Sequence, residues 1–157
     1  MPQILDVCPK CGELHMLVDH HPFPRRYFGN GKDNNPWGIY IHEACHRYFD
    51  NKIVNPILQM IEATWKEKSV QQKIEYNKLN FDIADTNFRP KPEVFVYLHV
   101  QYLGSLQAFL DVVQPRGYNL NGNGKKSKRD KKNNEAIRLP EFEDIISNYQ
   151  NMTFVEI

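Results

Sequence analysis

Two pairs of candidate metal ligands with the same internal gap constrain this chain more than any other feature: Cys8-Pro9-Lys10-Cys11 and His42-Glu43-Ala44-Cys45. Thirty residues separate the pairs. Three thiolates and one imidazole fill the tetrahedral shell of Zn2+ and leave no position for water, which is the donor set of a structural ion. The run Cys8-Pro9-Lys10-Cys11-Gly12 predicts a knuckle, a backbone reversal that turns two thiolates and nearby N–H groups toward one point. Closing that shell brings residue 8 against residue 45, so the chain between them is committed to a compact loop. Three cysteines cannot pair off as disulfides, and metal binding accounts for all of them at once.

At 157 residues the chain has the length of one domain, at ~100–200 residues per domain. Its 41% hydrophobic and 25% charged residues exclude a fibrous or wholly disordered protein. No apolar run approaches the ~18 residues of a membrane span, and Met1-Pro2-Gln3-Ile4-Leu5-Asp6 is too short and polar for a signal peptide. A soluble, cytoplasmic protein with no membrane partner is the expectation. The net charge of +1 points to no partner by itself, but residues 121–134 alone carry +5, leaving −4 for the rest.

The hydrophobic pattern predicts an α+β chain. Leu14–His20 and Trp37–Ile41 read as strands, joined by a loop punctuated by Pro22, Pro24, Gly29, Gly31, Asn34, Asn35 and Pro36. A short helix is expected from Glu43 to about Phe49. Asn55-Pro56 reads as an N-cap and first turn, opening a helix that runs to about Leu79. After a break at Thr86–Pro92, a second apolar stripe at Phe95, Leu98, Tyr102, Leu106, Phe109 and Val113 fits a helical period, although Val94–Val100 alone could pass for a strand. The resulting organisation is a metal-stapled unit at 1–52, a helical region at 53–120 packed on it, a basic linker at 121–136 and a C-terminal helix or tail at 137–157.

Between the two ligand pairs lies Asp19-His20-His21-Pro22-Phe23-Pro24-Arg25-Arg26, and His46 directly follows the last ligand. Consecutive strand residues point to opposite faces, so one histidine can bind a metal while the other faces water or substrate. A helix held by the metal at Cys45 fixes His46 in turn. Together these suggest a second, open metal site.

Here the sequence resembles the HNH (ββα-metal) endonucleases, in the subgroup whose finger is stapled by zinc. The family's opening motif is matched by His20-His21-Pro22-Phe23-Pro24-Arg25, and its closing Cys-x2-Cys-His helix by His42-Glu43-Ala44-Cys45-His46, with His in place of the first Cys. The resemblance covers residues 8–50 and implies a zinc-stapled β-hairpin and helix, followed by a mainly α-helical region. By position it makes His20 and His46 ligands of a catalytic Mg2+ or Mn2+, and His21 the general base. At the place of the family's middle Asn stands Trp37, with Asn34 and Asn35 just before it; Asn35 could take the role of pinning the hairpin and orienting His21. Asp19-His20 is an alternative register, with Asp19 as ligand and His20 as base. His20-His21 is preferred because it sets Pro24 where the family has its proline.

The implied reaction is hydrolysis of DNA phosphodiester bonds, leaving 5′-phosphate and 3′-hydroxyl ends. In it His21 takes a proton from water and one divalent ion offsets charge on the phosphate. Arg25 or Arg26 could clamp a phosphate bidentately. Sequence recognition would come from the appended helices or from a partner subunit, as in a homodimer, and a phage or mobile element could encode such an enzyme. Two other readings stand beside it. One is a zinc-stapled module that binds nucleic acid or protein without catalysis; the other is a zinc hydrolase with another substrate, disfavoured because only Asp19 and Glu43 accompany the histidines.

Overall fold

The computed structural model describes residues 3–29, 34–116 and 138–152. Strand β1 (Gln3–Val7) runs into the cysteine knuckle and returns as β2 (Leu14–His20), paired antiparallel from Gln3 opposite Val18 to Val7 opposite Leu14. The expected knuckle is thus the turn of a hairpin. Its first strand escapes the sequence analysis because every residue of β1 is exposed, so no burial alternation marks it. Strand β3 (Trp37–His42) pairs with β2, placing Leu17 opposite His42 and His20 opposite Ile39. A two-residue strand, β4 (Gln114–Pro115), adds to β3 and completes an antiparallel sheet in the order β1-β2-β3-β4.

The segment between β2 and β3 contains one helical turn, α1 (Arg25–Phe28), where only loop is expected. Pro24 opens it, its carbonyl accepting from the N–H groups of Tyr27 and Phe28, and Gly29 ends it at φ 75°. After β3 the chain enters α2 (Glu43–Phe49), as expected, and then continues through a π-helical segment, Asp50–Val54, into α3 (Asn55–Lys66). Asp50, Val54 and Asn55 all keep right-handed helical dihedrals, so Asn55 does not cap a new helix. Pro56 has no N–H to return to the preceding turn, and the wider π turn ahead of it accommodates both the missing bond and the ring. The expected boundary between residues 52 and 53 falls inside this continuous helix.

The helix expected over 55–79 is two helices, because Ser69 and Gln72 form a capping box that starts α4 (Val70–Phe81). Ser69 Oγ accepts from Gln72 N–H at 3.1 Å and Gln72 Oε1 accepts from Ser69 N–H at 2.9 Å. The second apolar stripe is likewise split, by Gly104 at φ 107°, into α5 (Pro92–Leu103) and α6 (Leu106–Val112). Residues Val94–Val100 are helical. Their continuous apolar character, which could equally mark a strand, reflects a helix buried on nearly every side: Val94, Phe95, Val96, Leu98, His99 and Tyr102 are all buried. The last expected helix is α7 (Phe142–Gln150), which packs on α5 and buries Ile145.

Phe95 sits at the centre of the core, its ring 5.8 Å from that of Phe28 and 6.1 Å from that of Tyr27. Truncating a buried Phe of this kind costs about 3–5 kcal/mol, so α5 fixes the β2–β3 connection through α1. Among the described residues no helix is long and apolar enough to cross a membrane. Residues 117–137, which include the basic stretch 121–136, lie outside the described residues, as do 1–2, 30–33 and 153–157.

Candidate functional site

The knuckle brings the three cysteines together, while His42 groups with Cys11 and His15. Gly12 N–H donates to Cys8 O and Cys8 N–H to Glu13 O, both at 2.9 Å, and Gly12 adopts φ 76°, a conformation that costs glycine nothing. Lys10 N–H points at Cys8 Sγ at 3.4 Å. The helix start of α2 brings in Cys45, and the donor atoms of Cys8, Cys11 and Cys45 all lie within 4.8 Å of one another. His42 Nδ1 is 3.8 Å from Cys45 Sγ. A second donor group joins Cys11 and His42 to His15, whose ring stacks on that of His42 at 3.6 Å between centroids. These cysteines and histidines are positioned to hold a metal ion.

The thiols also differ in how readily they ionise. Burial works against a Cys8 thiolate, but the N–H groups of Cys11, His42 and Lys10 outweigh it and hold the pKa below the ordinary value of 9. Cys45 is pushed up to about 12, first by burial and then by the Cys8 and Cys11 side chains beside it. A thiolate at Cys8 opposes one at Cys45, so a cation beside them is what lets both ionise together.

Tyr102 of α5 ties this unit to the core. Its hydroxyl donates to Cys45 O at 2.8 Å, and Lys10 Nζ donates to Tyr102 O at 2.7 Å.

A separate cleft of about 280 Å³ opens beside the start of this helix, lined by His20, His21, Pro24, Arg25, Arg26, His46, Asp50 and His99 among others. His20, at the end of β2, reaches His46 of α2 with 4.1 Å between ring centroids. His46 Nε2 lies 2.8 Å from Asp50 Oδ2, one helical turn on. Asp19 also lines the cleft, but its Oδ2 is engaged, accepting from Arg116 Nε and Nη2 at 2.8 and 2.7 Å. The side chain of Asn35 is fully buried and donates to Phe23 O at 2.7 Å and Gly29 O at 3.0 Å, pinning the loop after His21 against the approach to β3. Asn34 is exposed.

His99 and Asp50 escape sequence reasoning, as does His15. His99 Nε2 meets His20 Nε2 at 3.0 Å, and His99 Nδ1 donates to Phe95 O at 2.6 Å. Burial is the main cause that lowers both pKa values, that of His99 to about 4 and that of His20 well below 6.5, so both rings are neutral. Asp50 had an available signal, because it follows His46 by four residues on one helix. His15 had a weaker one, because alternation puts it on the same side as Leu17, which pairs with His42. The donors of this cleft do not converge as those of the knuckle do. Among the described residues, only the two cysteine-containing groups bring three donor atoms within 4.8 Å of one another. No protein-family model, no curated protein and no solved structure matches the chain.

Proposed function

We propose that the chain is a metal-dependent endonuclease of the HNH type, hydrolysing DNA phosphodiester bonds in the His20/His46 cleft and stapled by a structural Zn2+ at the knuckle. The observation that carries the reading is the meeting of His20 and His46 at 4.1 Å, with Asp50 on His46 and with His21, Arg25 and Arg26 on the walls. The Asp19–Arg116 pair favours the His20-His21 register over Asp19-His20. The two bonds from Asn35 support the role the family gives its Asn. For the knuckle, bonds of ~2.3 Å to sulfur and ~2.0–2.1 Å to nitrogen imply a tetrahedral S···N edge of about 3.6 Å. The His42–Cys45 distance of 3.8 Å supports His42 as fourth ligand. The β2–β3 pair that leads into α2 is the order a ββα-metal finger requires.

In this reading His20, His46 and Asp50 would hold the divalent ion, the Asp50 carboxylate being the donor that suits Mg2+ or Mn2+, with the rest of the shell left to substrate phosphate and water. When bound, such an ion offsets the charge that develops on the phosphate and on the departing 3′ oxygen. His21, half-buried in the cleft wall, takes the proton of the attacking water. Arg25 and Arg26 bind the flanking phosphate through paired N–H groups. Products carry 5′-phosphate and 3′-hydroxyl ends.

Supercoiled plasmid with Mg2+ or Mn2+ tests the reading. Wild type is expected to nick and linearise it, and a folded His21→Ala variant is not. Equal cleavage by both removes His21 as base. A second reading, a non-catalytic zinc module, is favoured by the burial of His20 and its contact with His99. It predicts no cleavage but DNA binding that weakens as salt rises.

A further inference from the structure

His99 stands on α5, outside the segment that carries the other cleft histidines, on a helix whose buried residues are mostly apolar. An apolar side chain would fill that place without burying ring nitrogens, so the polar contacts of His99 need a reason beyond packing. Both nitrogens are engaged, Nδ1 with Phe95 O and Nε2 with His20 Nε2. A carbonyl oxygen only accepts, so Nδ1 of His99 carries the proton and Nε2 of the neutral ring is an acceptor. The N–H in the His20–His99 contact therefore belongs to His20 Nε2, and the lone pair of His20 is left on Nδ1. Phe49 and Phe109, with ring centroids 4.6 and 5.4 Å from that of His99, wall the pair off from competing water.

We infer that His99 is a positioning residue: by accepting from the Nε2–H of His20 it fixes that ring in the tautomer whose Nδ1 lone pair can bind a divalent cation beside His46. The inference rests on the reading of this cleft as a cation-dependent phosphodiesterase site. It assigns to α5, a core helix, the task of setting one ligand's chemistry from behind, as carboxylates and carbonyls do for metal-binding histidines elsewhere.

Ring 15N–1H correlation NMR on the zinc-loaded protein, without added Mg2+, reads the tautomers. The expected result is a proton on Nε2 of His20 and on Nδ1 of His99; a proton on Nδ1 of His20 overturns the inference. Mn2+ titration is then expected to broaden the ring signals of both His20 and His46. Broadening confined to His46 overturns it, since His20 then binds nothing for His99 to orient.

In plasmid cleavage, His99→Leu is expected to raise the Mn2+ concentration at half-maximal rate by about 10–100-fold, while His99→Gln, whose side-chain oxygen accepts from His20, stays within about threefold of wild type. Equal Mn2+ requirements in variants of matched Tm overturn the inference. Should His99→Leu fail to fold, the wild-type tautomer and His99→Gln carry the test. A wild type that cleaves nothing, yet shows the expected tautomers and Mn2+ broadening, removes the nuclease reading and supports the positioning role in a cation-binding cleft.

Discussion

Replacing Asn35 asks how firmly the loop behind His21 is held. The amide sits in the interior, and its Nδ2 is the donor to both Phe23 O and Gly29 O, the carbonyls flanking α1. Asn35→Ala removes that donor and leaves two acceptors in the interior. At ~1–3 kcal/mol for each buried group left unsatisfied, the loss is about 2–5 kcal/mol after partial relaxation. For a chain of this size, ~2–4 °C of Tm per kcal/mol turns that into a fall of roughly 5–15 °C. Asn35→Asp is the sharper test because it keeps the shape. At neutral pH its carboxylate only accepts, so it faces two carbonyl oxygens with no proton between them, and the loss should exceed that of alanine. Burial favours the protonated acid, which regains one donor, so the deficit against wild type should narrow as pH falls below neutrality. Thermal melts followed by circular dichroism in zinc-containing buffer measure both variants. An Asn35→Asp protein that melts within about 2 °C of wild type at neutral pH would refute the pinning argument.

Three further outcomes follow from geometry and charge. Cys45→Ser should abolish stoichiometric zinc binding and lower Tm, since the binding free energy of a structural site is also folding free energy; metal analysis showing one retained zinc per chain would contradict the donor assignment. His99, with its pKa lowered to about 4, and His20, lowered well below 6.5, are neutral when folded and protonated when unfolded below pH 6.5. The unfolded state then binds more protons, so stability should be level above pH 6.5 and fall toward pH 4 by up to ~1.4 kcal/mol per pH unit for each ring; urea midpoints that stay flat over that range would sink the argument. Finally, a Cβ at Gly38 would lie 2.7 Å from Arg116 Cγ and from Asp19 Oδ1. Gly38→Ala should therefore disturb the Asp19–Arg116 pair and lose ~1–3 kcal/mol, and an unchanged denaturation midpoint would show that β4 yields freely.

Periodicity makes much of the fold legible. Short apolar runs, aromatic and β-branched in β3, mark β2 and β3, the ligand-bearing segment marks α2, and the apolar stripes mark the helical remainder. Local signals mislead where a neighbouring constraint overrides them: Asn55-Pro56 has the chemistry of a helix start, yet helical residues precede it and a π turn absorbs the proline. The capping box at Ser69 and Gln72 was available in the sequence and is what divides a long polar helix. At the candidate site, the knuckle donors are legible because the chemistry of one ion fixes their spacing. The partner of Asp19 is not, because Arg116 lies 97 residues away. His99 is hidden for the opposite reason: a lone histidine in an apolar stripe has the sequence appearance of core, and only the packing of α5 brings it to His20.

The π segment also limits how this architecture can be exchanged or trimmed. Cys45, His46 and Asp50 precede or begin it, while Leu58 and Trp65, which anchor α3 in the interior, follow it on the same rod. Deleting one residue from 50–54 would rotate everything beyond by about 100° and draw it back by ~1.5 Å. Either the buried stripe of α3 or the ligand face of α2 would then turn to solvent. The cysteine-knuckle unit and the helical body are therefore keyed to each other in phase. A chimaera joined at residue 52 would have to inherit the helical register as well as the residues, and length variation is better tolerated in the connection between α3 and α4, where the helix has already ended.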